Sequence, residues 1–320
     1  MAHMHNISSF KNYAPDSDAL ATPSLMDRCD NEGPLSPELF HCLDLEMERD
    51  TGTLWCSMSA SERPSYTPDL LKELARMQSG LQAIAKPQTR GDLQKIRTLV
   101  VASNTPGVYN LGGDLPLFAS AIRAQDRIAL QDYAHKCVEI VFNNSDGYGG
   151  KIATIALVQG QALGGGFEAA LSCHAMVAER SARFGLPEVL FNLFPGMGAY
   201  SFLSRRLTPV AAESMILSGK IYTATELHEM GLVDILAEDG EGVAAVRRLI
   251  VDWERRGNAR RAVRAMRDLV RPVTHEELIS ITDMWVDAAL SLTEDDLRRM
   301  QRLVSAQSRR ASRITPTAAE

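Results

Sequence analysis

The sequence predicts an α/β fold built on a mostly parallel sheet. Residues 96–102, 152–158 and 175–178 are apolar runs without the alternation that a one-sided sheet shows, so helices must cover both faces. The first two runs lead into glycine-rich loops and then into helix-forming stretches. Strand, loop, helix and strand at this rhythm indicate α/β layering.

The elements follow in order. Residues 1–34 are rich in Ser, Asp, Asn, Pro and Ala and read as a disordered or extended arm. Residues 40–47 and 53–58 are strand-like, and Asp50-Thr-Gly52 between them supplies a hairpin turn. Thr67 and Pro68 then open a helix as N-cap and N1, with Leu70, Leu71, Leu74 and Met77 at helical spacing. After the strand at 96–102 comes a turn-rich loop at 104–114, and a long helix is expected over 117–142. A loop at 143–150 leads to the strand at 152–158, a short helix at 166–172 and the strand at 175–178. Beyond Thr208 the chain is mainly helical, with a brief strand at 232–236. Further helices are expected at 241–256, 259–270 and 274–290, and a last one starts at Leu292 and fades into a polar tail after Arg310.

Composition narrows the class. With 45% apolar and 23% charged residues, the 320-residue chain reads as a soluble globular protein with material for a large core. A net charge of −6 argues against nucleic-acid binding. The five cysteines are scattered and never spaced as CxxC, and the seven histidines include no HExxH pair, so neither a disulfide framework nor a metal mechanism is indicated. The longest apolar run, 152–158, falls far short of the roughly 20 residues a membrane span needs. Met1-Ala-His-Met-His-Asn6 has neither the basic nor the apolar region of a signal peptide, and a cytoplasmic protein is expected.

The chemistry concentrates in two glycine runs and two acids. Val108-Tyr-Asn-Leu-Gly-Gly-Asp114 and Ala162-Leu-Gly-Gly-Gly-Phe-Glu168 each follow a buried strand and precede a helix, which puts their glycines where α/β proteins commonly bind ligands. Glycine lets backbone N–H groups approach a substrate oxygen closely, so the two loops could each present one amide to the same carbonyl. Glu168 closes the second run, and Glu188 follows twenty positions later in Phe184-Gly-Leu-Pro-Glu188. Two carboxylates in a partly apolar pocket tend to split their pKa values, as an acid–base pair requires. Neither run is a phosphate loop.

Together with Phe194-Pro-Gly-Met-Gly198 and Gly231-Leu-Val-Asp234, these motifs resemble the crotonase (enoyl-CoA hydratase/isomerase) superfamily from about residue 40 to 235. That resemblance implies a spiral of ββα units over residues 35–235, a helical C-terminal region over 236–310 and a disordered tail over 311–320. It also implies an oxyanion hole at the backbone amides of Gly113 and Gly165, with Glu168 and Glu188 as the catalytic acids and no cofactor. Within the superfamily, residues 185–204 are similar to the diffusible-signal-factor synthases of the RpfF type. Those enzymes form cis-2-unsaturated fatty acids by dehydrating a 3-hydroxyacyl thioester on acyl carrier protein and hydrolysing the thioester.

Leu163, Gly164, Leu193, Phe194, Met197 and Trp285, with Met284 beside it, are the expected substrate-binding residues. For Met197 and Trp285, plain core packing stands as the other reading. Nine arginines between 247 and 271 form a basic segment that could dock an acidic carrier protein or a nucleotide phosphate, or simply be a solvated face. Two rival functions stand beside the synthase: an ordinary enoyl-CoA hydratase or isomerase acting on CoA thioesters, and a non-catalytic crotonase scaffold that sequesters a sensor kinase. Assembly into a trimer or hexamer is expected by likeness.

Overall fold

A computed structural model describes residues 27–28, 34–59, 63–85 and 96–314. Most of the expected N-terminal arm, and residues 315–320 of the expected tail, lie outside the described residues. The strands are β1 Asp27–Arg28, β2 Leu43–Glu48, β3 Thr53–Met58, β4 Thr98–Ser103, β5 Val108–Asn110, β6 Ala153–Val158, β7 Gln161–Leu163, β8 Ala175–Glu179, β9 Arg183–Gly185, β10 Ile221–Thr223 and β11 Ile235–Ala237. The helices are α1 Pro68–Ile84, α2 Leu115–Arg123, α3 Arg127–Gly150, α4 Gly165–Ser172, α5 Ala199–Ser204, α6 Pro209–Ser218, α7 Ala224–Glu229, α8 Gly242–Arg255, α9 Gly257–Val270, α10 His275–Leu290 and α11 Glu294–Ile314.

Two sheets share the strands. One runs β1-β2-β3-β4-β6-β8-β11 and is parallel from β3 onward; the other runs β10-β9-β7-β5, with β9, β7 and β5 parallel. The pairs β4/β5, β6/β7 and β8/β9 each place one strand in each sheet, so the chain climbs as a spiral of ββα turns. At one corner the backbones nearly touch: a Cβ on Gly160 would lie 2.1 Å from the Gly107 carbonyl carbon, so that residue must be glycine. The apolar strands are buried on both faces. In β4, Leu99 and Val101 face the main core, while Val100 and Ala102 face a second core under α8 with Trp55, Ile155, Val246 and Trp253.

Local chemistry matches the expected starts. The Thr67 side chain accepts from the Leu70 amide with Pro68 at N1, and Gly52 takes a left-handed φ of 61° in the hairpin turn. Elsewhere the structure corrects the reading. The single helix expected over 117–142 is two, because Gln125 turns left-handed (φ 52°) and Asp126 caps α3 through the Ala129 amide. The expected loop at 143–150 is the end of α3, whose backbone becomes left-handed at Gly147, Tyr148 and Gly149. Glycines make that turn tolerable, and only Tyr148 bears the side-chain strain of such a φ. At the C-terminus, α11 continues to Ile314, four residues into the segment read as tail. Among the described residues no helix is long and apolar enough to cross a membrane.

Beneath α4 runs a polar network. Gln78 donates to the Ile140 carbonyl, Asn144 donates to Ser172 Oγ, and Thr154 Oγ1 donates to the Asn144 carbonyl. His174 Nδ1 accepts from the Thr154 amide at 2.8 Å, which leaves Nε2 to donate to the Ser145 carbonyl at 3.0 Å. Burial first, then the neighbouring Arg264 and Arg267 charges, holds the imidazole well below its ordinary pKa. The ring is therefore neutral when folded, and the unfolded chain binds the extra proton below about pH 6.5. Stability contributed by the neutral ring is present above that pH and lost as pH falls, by at most about 1.4 kcal/mol per unit for one proton. Denaturant melts of wild type and His174→Asn at pH 7.5 and 5.5 are expected to show a smaller acid loss in the variant. Equal losses in both would show that His174 does not set the dependence.

Candidate active site

Two loops meet where β5 and β7 end. The first is Leu111-Gly-Gly-Asp114, closed by Asp114, which caps α2 through the Leu117 amide. The second is Gly164, whose φ of 52° turns the chain from β7 into α4. They touch through backbone. A Cβ on Gly112 would lie 2.8 Å from the Leu163 carbonyl oxygen and 2.9 Å from the Gly165 nitrogen, and one on Gly166 would lie 2.1 Å from the Asn110 carbonyl oxygen. No larger residue fits at either position without separating the loops.

The amides of these loops can be accounted for one by one. Leu111 N donates to the Pro64 carbonyl at 2.7 Å, Gly112 N to Asn110 Oδ1 at 2.8 Å and Asp114 N to the Tyr133 hydroxyl at 3.0 Å. In the second loop Gly164 N donates to the Gly185 carbonyl at 2.8 Å, and Phe167 N and Glu168 N donate to the Gly164 carbonyl. Among the described residues the amides of Gly113, Gly165 and Gly166 have no acceptor, and of these three Gly113 and Gly165 line one cleft of about 680 Å³ including its open mouth.

Glu168 stands one helical turn past Gly165, so both face the same side of α4. Its Oε1 accepts from the amides of Met197 at 2.8 Å and Ala199 at 2.9 Å, the latter at the start of α5. Glu188 arrives on a short 3₁₀ turn, Pro187–Phe191. Sheet register delivers it: Leu163 pairs with Gly185 across β7 and β9, so the residues just beyond Gly185 lie beside Gly164. A Cβ on Gly164 would stand 2.4 Å from Glu188 Oε1, while Glu188 Oε2 is buried with no partner among the described residues. Twenty residues of chain run out along α4, back along β8 and down β9 to bring the two acids to one cleft.

Both carboxyls are held above the ordinary carboxylate range. For Glu168 burial is the larger cause and the charge of Glu188 the second, opposed by the Ala199 and Met197 amides. For Glu188 burial is the main cause.

Not every expected contact is present. Gly164, Leu193, Met197 and Trp285 line the cleft, but Leu163 and Phe194 do not. Leu163 is tied into β7, and Phe194 packs against the main core from a half-buried position. Met284 is exposed, since neighbouring residues of one helix point to different sides and Trp285 takes the inner one. Phe118, Tyr133, Cys137 and Leu303 line the cleft without having been singled out; in sequence they are apolar helical positions like any in the core. Of the arginines in the basic segment, Arg255, Arg256 and Arg261 are exposed, while three others are engaged within the protein. Arg264 donates to the Asp146 and Ile152 carbonyls, Arg271 to the Arg205 carbonyl, and Arg260 lies 3.6 Å over the Trp253 ring. The outward side of α9 also shows Val263, Met266 and Val270. Among the described residues no three His, Cys, Asp or Glu side chains gather as a metal-binding group.

Comparison with known proteins places these features. The description of the enoyl-CoA hydratase/isomerase family matches residues 81–303. Methylglutaconyl-CoA hydratase of Rattus norvegicus is 30% identical over 187 residues, covering 58% of this chain and 54% of that protein. The chain spans about half or less of the length of the curated relatives it matches. Among solved structures, an enoyl-CoA hydratase from Bacillus halodurans superposes with a TM-score of 0.67 at 20% identity, covering 82% of this chain and all of that one. DspI of Pseudomonas aeruginosa gives a TM-score of 0.56 at 23% identity, covering 83% and 96%. At such identities the likeness establishes the fold.

The contact between Gly164 and Glu188 yields a test. Gly164→Ala places a methyl where Glu188 Oε1 stands, at a φ that L-residues rarely adopt, and is expected to lower stability by about 1–2 kcal/mol. Activity toward an acyl thioester is expected to fall at least tenfold in protein that still melts cooperatively. Full activity in the folded variant would show that the position of Glu188 does not matter.

Proposed function

The chain belongs to the enoyl-CoA hydratase/isomerase family, and we propose that its cleft catalyses the addition of water to a 2-enoyl thioester and the reverse dehydration. The observation that carries this reading is the convergence of two unengaged amides and two carboxyls on one cavity: Gly113 and Gly165 with Glu168 and Glu188.

The thioester carbonyl oxygen lies between the Gly113 and Gly165 amides. These donors strengthen as negative charge develops on that oxygen, and one such donor is typically worth about 2.7–4 kcal/mol in the transition state. The N-terminal end of α4 adds its positive dipole at the same place. In the hydration direction one carboxylate takes a proton from water as the water oxygen bonds to C3. The C2=C3 electrons move toward the thioester, forming an enolate held by the two amides. The other carboxyl, protonated, delivers its proton to C2 and the carbonyl re-forms. Burial and mutual repulsion leave one proton shared by the pair near neutral pH, the state this exchange uses. The two acids are assigned jointly. The cleft's apolar wall, with Phe118, Phe191, Leu193 and Trp285, suits an acyl chain. In this reading residues 35–235 carry the reacting groups and the helices of 236–310 supply part of that wall.

A second reading rests on the likeness of residues 185–204 to the diffusible-signal-factor synthases. There a 3-hydroxyacyl carrier-protein thioester is dehydrated and then hydrolysed to a free cis-2-enoic acid, the same amides holding the tetrahedral oxyanion. A scaffold that binds a sensor kinase would need neither acid. The resemblance also carries assembly into trimers or pairs of trimers, which sedimentation decides.

Crotonyl-CoA hydration and 3-hydroxydodecanoyl carrier protein, each followed by mass spectrometry, separate the enzymatic readings. Reversible hydration without hydrolysis supports the hydratase, whereas a released acid supports the synthase. Glu168→Gln and Glu188→Gln are each expected to lower kcat by 10²–10⁴-fold. Because both pKa values are raised, both limbs of the pH–rate profile are expected to lie above the ordinary carboxyl range near 4, the acid limb falling as the pair takes its second proton. Wild-type activity in both glutamine variants would refute the site.

A further inference from the structure

We propose that Tyr133 is the positioning residue that aims the Gly113 amide, an inference that rests on the oxyanion reading above. Tyr133 stands on α3, twenty residues beyond Gly113, and its ring forms part of the cleft wall. Its hydroxyl does not face the acids. It donates to the Tyr66 carbonyl and accepts from the Asp114 amide. With its single proton given to Tyr66, the hydroxyl has none left for a substrate. Burial, the largest cause, holds its pKa well above the usual tyrosine value, so it keeps that proton.

The geometry explains what this bridge does. The Tyr66 amide donates to the Gly112 carbonyl at 2.8 Å. In a trans peptide the carbonyl and the following N–H point in opposite directions, so tying the Gly112 oxygen to Tyr66 turns the Gly113 N–H the other way. Tyr133 completes a ring: Tyr66 is held at its nitrogen by Gly112 and at its oxygen by Tyr133, which in turn holds the Asp114 nitrogen. Both residues flanking Gly113 are thereby fastened to one strap at residues 64–66, which also takes the Leu111 amide on the Pro64 carbonyl. Two further contacts fix the frame. Tyr133 meets Phe118 edge to face at 5.1 Å, and Phe118 lies where a Cβ on Gly113 would fall, 2.5 Å from its Cζ. Arg63 pairs with the Asp114 carboxylate at 3.2 Å from the same strap.

Without the hydroxyl, the Asp114 N–H and the Tyr66 carbonyl lose their shared partner, and the peptide carrying the Gly113 amide is held by the Tyr66–Gly112 bond alone and rocks more widely. Substrate binding, which the apolar wall governs, keeps the same contacts. The effect falls on the step that builds charge on the thioester oxygen.

The test is Tyr133→Phe, which keeps the ring and its contact with Phe118. With crotonyl-CoA, kcat is expected to fall at least tenfold while KM stays within about twofold. Acetoacetyl-CoA gives a second readout, because its enolate absorbs in the near ultraviolet. Wild type is expected to raise the enolate fraction of the bound ligand, and the variant to raise it less, while butyryl-CoA, which forms no stable enolate, binds both equally. Unchanged kcat and enolate fraction in the folded variant would overturn the role of Tyr133. So would a loss of kcat that only tracks the folded fraction seen by circular dichroism. A wild type that neither hydrates crotonyl-CoA nor enolises acetoacetyl-CoA would fail the oxyanion reading itself, and the role of Tyr133 with it.

Discussion

The site depends on backbone pressed against backbone. The loop after β5 and the loop after β7 approach so closely that a single methyl at Gly112 or Gly166 would overlap the other loop. That contact leaves two amides side by side, at Gly113 and Gly165, facing a cleft rather than the protein. Parallel pairing of β5, β7 and β9 sets the spacing, since adjacent strands lie about 4.8 Å apart. In the proposed mechanism, donors mounted on neighbouring strands reach one oxygen without long side chains and without reorganising when charge appears. The ring through Tyr66, Gly112, Asp114 and Tyr133 does for the first loop what the start of α4 does for the second: it removes alternative directions for the amide.

Burying two carboxyls beside these amides is unfavourable, and the fold offsets it unequally. Glu168 Oε1 receives two backbone amides, one from the first residue of α5, where unsatisfied N–H groups are available. Glu188 has no such support at Oε2. Burial raises both acids, the charge of Glu188 raises Glu168 further, and the Met197 and Ala199 amides offset only part of that. Burial and repulsion together keep one proton on the pair across the neutral range. A purely structural pair would gain nothing from an unpartnered oxygen in a cavity, since such a group destabilises the fold.

Much of this was legible in the sequence, for physical reasons that differ by element. The buried strands were visible because a strand covered on both faces must be apolar on both, as β4 is from Leu99 to Ala102. Gly112, Gly113, Gly164 and Gly165 announced themselves because glycine tolerates backbone contact, and Glu168 and Glu188 because acids beside such runs have no simple packing role. The break at Gln125 was hidden: helical periodicity runs through it, and the left-handed residue is not glycine. Which residues wall the cleft was also hidden. Phe194 and Met284 look like liners, Phe118 and Tyr133 look like core, and only the packing of α2, α3 and α10 tells them apart. The arginines of α9 were legible only in part, for a related reason. Composition shows charge but not direction, and here Arg264 turns inward onto the Asp146 and Ile152 carbonyls while Arg261 and Arg267 stay exposed.

The cleft joins parts of the chain that are far apart in sequence. The proposed reacting groups stand on the spiral, at the ends of strands paired in a fixed parallel register. The far wall comes from helices: Trp285 on α10 and Leu303 on α11 close the cavity over Phe118 and Gly196. Gly196 has no room for a side chain, because a Cβ there would lie 2.5 Å from the Trp285 ring, so indole and backbone are in direct contact. Gly196 also precedes Met197, whose amide holds Glu168, and its carbonyl accepts from Thr282 one turn before Trp285. The segment that braces the acid is thus the segment against which the wall rests. A change in the helices that moved Trp285 would reach Glu168 through one residue of backbone, so the helical wall of the cleft and Glu168 form one mechanical unit although about a hundred residues lie between them in the chain.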